Sequence, residues 1–181
     1  MNYATMQEEG LWQAFKQSDA QALSEIYERF VNELYNYGYH FVMDAGQVQD
    51  AIQDVFADLW RTREQLADTT SIKYYLFCCL RRRLGRNKEL NGRATVWVED
   101  HLQTPHTESA EHVMIRVEES VQQMKRLQQA IESLPFRQQE VIRLRFYDDF
   151  SWGEIAGILQ INEQSVRNLV QRAVLKLRQV C

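Results

Sequence analysis

Apolar side chains recur at helical intervals along most of this chain, and this periodicity restricts its fold more than any other feature. Between residues 48 and 62 they share one helical face with i, i+3, i+4, i+7, i+8 spacing: Ile52, Val55, Phe56, Leu59 and Trp60. Similar spacing predicts helices over 11–42, with a break and cap at Ser18-Asp19, and over 71–88. With only 7 Gly and 2 Pro among 181 residues, a turn-rich β fold is disfavoured. We therefore predict an all-α protein.

The helical periodicity is lost over residues 90–112 and returns from Val113. This segment contains a glycine, a proline and several acidic side chains, a composition typical of a loop or linker. We therefore predict two small helical domains, 1–89 and 113–181, joined by a flexible linker over 90–112.

No segment predicts a membrane span, a secretion signal or an enzyme active site. The chain has no stretch near the roughly 18 apolar residues of a membrane span, no nucleophile beside a base and no phosphate-cradling glycine loop. The cysteines and the histidines of the predicted linker have no metal-ligand spacing: Cys78, Cys79, Cys181, His101, His106 and His112. We expect a reduced, cytoplasmic protein with no catalytic site, cofactor, metal or small-molecule substrate.

The formal net charge of −4 combines basic and acidic zones that alternate along the chain. Residues 71–88 carry six basic side chains and no acidic one, and residues 121–181 carry nine basic against six acidic. The intervening zones are acidic. A basic zone suits phosphate, whereas an acidic zone suits a protein partner or solvent.

The C-terminal part has the pattern of a helix-turn-helix. Ser151 and Glu154 form a capping box before a short helix, residues 160–162 predict a turn, and Asn162 caps a longer helix over 163–178. The exposed face of this second helix carries residue types that pair with base edges and phosphates: Gln164, Ser165, Arg167, Asn168, Gln171, Arg172 and Lys176. The pattern favours DNA binding over the alternative of an ordinary helical hairpin with a solvated face.

Two further helical faces each allow two interpretations. In helix 71–88, aromatic and basic residues share the side opposite the expected core: Tyr74, Phe77, Cys78, Arg81 and Arg82. They suit single-stranded nucleic acid, where bases stack on rings, or the two rings pack on a neighbouring helix. In helix 48–62 the polar face is either solvated or meets a basic partner: Asp50, Gln53, Asp54 and Asp58.

The order of these parts resembles bacterial sigma factors of the extracytoplasmic-function group of the sigma-70 family, which keep only regions 2 and 4. Four segments carry the resemblance: WQAFKQSDAQALSEIYERF (12–30), AIQDVFADLW (51–60), SIKYYLFCCLRRRL (71–84) and the stretch 134–178 that begins LPFRQQEV. The pattern QDVF-x-x-LW and the segment SVRNLVQRA are most similar to members from the Bacteroidetes phylum.

The resemblance implies an RNA polymerase sigma factor, with region 2 in 1–89 and region 4 in 113–181. It implies that the acidic helix docks on the clamp helices of the polymerase β′ subunit, with Asp50, Gln53, Asp54 and Asp58 at the contact, and that the β subunit is also bound. Loop 63–70 and helix 71–88 would melt and read the −10 promoter element through Lys73, Tyr74, Phe77, Arg81, Arg82 and Arg86. Helix 163–178 would read the −35 element in the major groove, and an anti-sigma factor, usually anchored to the membrane, would inhibit the protein.

Two residues of helix 71–88 depart from the family pattern, and the sequence also allows two other functions. Many relatives have Asn at the position of Arg82 and an acid at that of Arg86, so the base preference at −10 is not predicted. A dimeric helix-turn-helix regulator would explain 134–178 but would leave 50–62 and 71–88 without a role. A helical protein–protein module would assign no nucleic-acid contact to any of these faces.

Overall fold

The computed structural model describes residues 3–90 and 126–180, with side chains over 3–86 and 126–179. The chain divides into two compact units, Met1–Thr95 and Val96–Cys181. Every regular element in the described ranges is a helix, which confirms the all-α prediction. None of the described helices is long and apolar enough to cross a membrane.

The described part of the first unit, residues 3–90, contains four α-helices: α1 Glu8–Lys16, α2 Ala20–Val42, α3 Ala45–Thr62 and α4 Ile72–Leu90. A 3-10 turn, Arg63–Gln65, and a loop over 66–71 connect α3 to α4. The predicted break at Ser18-Asp19 is confirmed, because Ser18 has a φ of 69° and the Asp19 carboxylate accepts hydrogen bonds from the first amides of α2. Helix α4 reaches one residue into the predicted linker 90–112, and the rest of that segment, with its histidines, lies outside the described residues.

The core of the first unit forms where α2 packs against both α3 and α4. Of the predicted apolar face of α3, four residues are buried and Trp60 is half-buried. Gly38 allows the closest approach between these helices. A Cβ atom built on Gly38 would lie 2.9 Å from Val48 Cγ1 of α3 and 3.4 Å from Leu84 Cδ1 of α4. A larger residue at this position would therefore push the three helices apart.

The second unit contains a helix described from 126 to 132 (α5), and then α6 Phe136–Phe146, α7 Trp152–Leu159 and α8 Glu163–Val180. The predicted capping box at the start of α7 is confirmed, since the Ser151 side chain accepts from the Glu154 amide and the Glu154 carboxylate accepts from the Ser151 amide. Gln160 ends α7 in the left-handed conformation, with a φ of 55°, and Asn162 Oδ1 accepts from the Ser165 amide at 2.8 Å. Helices α7 and α8 therefore form the predicted helix-turn-helix, packed on α6.

Candidate nucleic-acid and polymerase interfaces

The polar residues predicted on the second helix of the helix-turn-helix lie on one face of α8. Ser165 is half-buried, and the other six are exposed: Gln164, Arg167, Asn168, Gln171, Arg172 and Lys176. The opposite face packs into the second unit through Val166, Val170 and Ala173, which are buried. The apolar face therefore fixes the rotation of α8 and leaves the base-reading residue types accessible.

Trp152, at the start of α7, contacts two arginines from the helices on either side of it. The Arg167 guanidinium of α8 lies 5.3 Å from the Trp152 ring centroid, and that of Arg145 in α6 lies 4.8 Å from it. Arg145 also donates to the carbonyl oxygen of Phe150 at 2.9 Å, and Arg167 pairs with Glu163 at 3.4 Å. Sequence reasoning missed this role for Trp152, because a cation–π contact between separate helices leaves no local sequence signal.

The acidic face of α3 is accessible but partly neutralised by the chain itself. Asp50, Gln53 and Asp54 are exposed and Asp58 is half-buried. Arg83 Nη2 of α4 lies 3.3 Å from Asp54 Oδ2 and 3.1 Å from Asp58 Oδ2. A single guanidinium therefore links two carboxylates of this face to the neighbouring helix.

The structure separates the six residues predicted on α4 into three groups. Arg82 and Arg86 are exposed, Lys73, Tyr74 and Arg81 are half-buried, and Phe77 is fully buried. The predicted exposed position of Phe77 is wrong, and the alternative interpretation, in which this ring packs on a neighbouring helix, is confirmed. Helix α4 packs against both α2 and α3, so its buried arc is wider than one apolar stripe.

The Phe77 ring lies within the core, with its centroid 5.0 Å from that of Tyr37 in α2. Tyr75 and Cys79 of the same helix are half-buried. Burial, and then the adjacent Cys79, raises the pKa of Tyr75 to about 12.

Two of the α4 cations are held against α2. Arg81 Nη1 donates to the Tyr37 hydroxyl at 3.1 Å, and its guanidinium lies 4.9 Å from the Phe41 ring centroid. Lys73 Nζ lies 2.8 Å from Glu33 Oε2. Arg82 and Arg86 are thus the more exposed cations of this face.

The loop over 66–71 is attached to α1 by contacts that we call the loop anchor, formed by Trp12, Gln13 and Lys16 with Ala67 and Asp68. Trp12 Nε1 donates to the Ala67 carbonyl oxygen at 3.0 Å. The Asp68 carboxylate accepts from Gln13 Nε2 at 2.9 Å and from Lys16 Nζ at 2.6 Å. These hydrogen bonds, first of all the one from Lys16, lower the pKa of Asp68.

The start of α4 is also connected to α1. Glu8 Oε2 accepts from the Ile72 amide at 2.5 Å, and Ser71 Oγ accepts from the Tyr74 amide at 3.1 Å. The first amides of α4 therefore have side-chain acceptors from both a distant and an adjacent residue. Among the described residues, no group of three or more His, Cys, Asp or Glu side chains is placed to hold a metal ion.

Comparison with known families accounts for both units. Residues 26–89 match the model for "Sigma-70 region 2", and residues 124–177 match that for "Sigma-70, region 4". The two matches together span well over half of the chain. The chain belongs to the sigma-70 family of RNA polymerase sigma factors. The ECF RNA polymerase sigma factor SigL of Mycobacterium tuberculosis is 23% identical over 163 residues, which cover 89% of each protein, and this similarity supports the extracytoplasmic-function group.

Two solved structures share the fold of this sigma factor at 18% sequence identity. CnrH in complex with the cytosolic domain of CnrY has a TM-score of 0.63, with 95% of each chain covered. The sigma factor RpoE of Bartonella quintana, in complex with the anti-sigma factor NepR, has a TM-score of 0.60, with 93% of this chain and 96% of that chain covered.

The region 2 match contains α3, the loop after it and all but the last residue of α4, and the region 4 match contains the helix-turn-helix up to residue 177. An RNA polymerase sigma factor therefore uses both units, whereas the dimeric-regulator alternative left the first without a role. Helix α1 precedes the region 2 match, which begins at residue 26.

Proposed function

We propose that this sigma factor docks on core RNA polymerase through α3, reads the −35 element with α8, and melts and reads the −10 element with α4 and the loop before it. The exposed polar face of α8 carries this proposal. Six residues that can bind base edges or phosphates lie there, on a helix fixed by a buried apolar face. As a transcription initiation factor it would need no catalytic site of its own and would act in the bacterial cytoplasm.

At −35, we assign base reading to the N-terminal half of α8, because this part of a recognition helix enters the major groove. Arg167 suits guanine, and Gln164, Asn168 and Gln171 suit adenine. Arg172 and Lys176, further along the helix, suit phosphates. Ser165 would contact either a base edge or a phosphate. Trp152 would orient the Arg167 guanidinium.

At −10, we assign phosphate contacts to Arg82 and Arg86, which are exposed. Of the two rings predicted at this site, we assign stacking on an unpaired base to Tyr74, which is half-buried, because Phe77 is fully buried. Lys73 and Arg81 are held against α2 and would border this site rather than follow the backbone.

For the polymerase, we assign contact with the β′ clamp helices to Asp50, Gln53, Asp54 and Asp58, and we expect a further contact with the β subunit. The proposal also includes the domain boundaries, with region 2 over 1–89, a linker over 90–112 and region 4 over 113–181. It further includes the similarity to sigma factors from the Bacteroidetes phylum. The two solved relatives were each captured with a protein partner, one of them named an anti-sigma factor. This supports an anti-sigma partner for this chain, and the family resemblance implies that such a partner is usually anchored to the membrane.

Co-elution with bacterial core RNA polymerase at moderate salt tests the docking proposal. Asp54→Arg reverses one exposed charge of the acidic face, and Glu28→Arg makes the same change on the exposed side of α2. We expect the wild type and Glu28→Arg to co-elute with the polymerase and Asp54→Arg to be lost from the complex. Equal co-elution of all three proteins would refute α3 as the docking helix.

A further inference from the structure

The loop anchor joins segments that are 52 to 55 residues apart in sequence. Three hydrogen bonds from α1 converge on the adjacent residues Ala67 and Asp68, in a loop of only six residues between the 3-10 turn and α4. They hold both a backbone carbonyl and a carboxylate. The course of the loop is therefore fixed by α1, which precedes the residues matched by the region 2 model.

Within the anchor, the pair formed by Lys16 and Asp68 is placed to shape the loop more than to stabilise the fold. The Asp68 side chain is 71% exposed, and an ion pair in such a position contributes little to stability. Ala67 and Thr70 are also exposed, so the outer surface of the loop is open to a ligand. A loop whose conformation is fixed beforehand loses less entropy when it binds.

We infer that α1 positions the loop for −10 recognition, and that Lys16, Gln13 and Asp68 thereby set the preference for the unstacked base. The inference rests on the proposed function, in which this loop and α4 take up a base of the non-template strand. A flipped base is read by a pocket of fixed shape, whereas phosphates are followed by cations that tolerate displacement. Loosening the anchor therefore weakens selection between bases more than total DNA binding.

The test uses holoenzyme reconstituted from the full chain and core polymerase. The probe is a fork-junction DNA library, duplex across a randomised −35 segment and single-stranded across a randomised −10 segment of the non-template strand. Retained DNA is sequenced for wild type, Lys16→Asp, Asp68→Lys and the double variant with both changes. Glu28→Gln, which removes an exposed carboxylate on α2, is the matched control.

Each single variant is expected to reduce base preference at one −10 position about two- to fivefold, the range that loss of an exposed ion pair allows. The double variant restores the base preference, because the ion pair between positions 16 and 68 is re-formed with the charges exchanged. The side-chain amide of Gln13 can then accept a hydrogen bond from the new ammonium group at position 68 instead of donating one. Total retention and −35 preference stay at the wild-type level. Asp68→Ala, which removes the acceptor of both hydrogen bonds without reversing a charge, should show the same loss as the single charge reversals.

Two results separate failure of this inference from failure of the proposed function. If the anchor variants keep the wild-type −10 preference while Arg82→Ala loses retained DNA, α1 has no positioning role and the −10 assignment of α4 stands. If wild-type holoenzyme shows no −10 preference at all, both the −10 assignment and the inference are overturned.

Discussion

Replacing Gly38 by alanine should destabilise the first unit, although alanine is the better helix former. In a helix interior, alanine is favoured over glycine by about 1 kcal/mol. At Gly38 the new methyl group would lie 2.9 Å from Val48 Cγ1, and the short β-branched valine cannot swing away. Overpacking of this kind costs about 1–3 kcal/mol. The net free energy of unfolding should therefore fall by up to about 2 kcal/mol.

Gly85 is the matched control for this prediction. It also lies inside a helix, α4, but an added Cβ atom would meet no atom within 4 Å. Gly85→Ala should therefore gain the full helix preference and raise the melting temperature of the first unit by about 4–8 °C. Differential scanning calorimetry of the full chain measures both variants. If Gly38→Ala melts at the same temperature as Gly85→Ala, the close approach at Gly38 costs nothing and the packing argument fails.

Three further predictions concern the helix-turn-helix and α4. Ser151→Ala should lower the free energy of unfolding by about 0.5–2 kcal/mol in a denaturant titration, because it removes the cap of α7; an unchanged midpoint would contradict this. Arg172→Glu should abolish transcription from a −35-dependent promoter and keep polymerase co-elution, whereas Arg137→Glu on the exposed surface of α6 keeps both. The raised pKa of Tyr75 favours its neutral form in the folded state, so its contribution to stability is complete below about pH 10 and is lost as the pH rises towards 12. Tyr75→Phe should remove a phenol titrating near pH 12 from the absorbance curve, and an unchanged curve would contradict the assignment.

The features predicted correctly from the sequence are those determined by near neighbours. The caps at Asp19, Ser151 and Asn162 each join a side chain to an amide two or three residues away, so the residue types and their spacing suffice. The polar face of α8 follows in the same way from the helical repeat. The fold class and the helix-turn-helix could therefore be obtained without coordinates.

The features that sequence reasoning missed depend on how helices from distant parts of the chain pack. Phe77 is buried because α4 contacts two helices rather than one, which the spacing of its apolar residues does not reveal. The contacts of Arg83 and Trp152 likewise join separate helices, and the loop anchor joins α1 to a loop more than 50 residues further along the chain. The residue types at these sites were visible in the sequence, but their partners were not.

The guanidinium of Arg83 has a consequence for protein engineering. Its side chain is only 25% exposed and pairs with two aspartates of α3. A chimaera that received α3 from another sigma factor, with neutral residues at 54 and 58, would leave this partly buried cation without its partners, at a cost in desolvation. Recombination within region 2 should therefore exchange α3 and α4 together, so that the interfaces proposed here for the polymerase and for the −10 element are transferred as one piece.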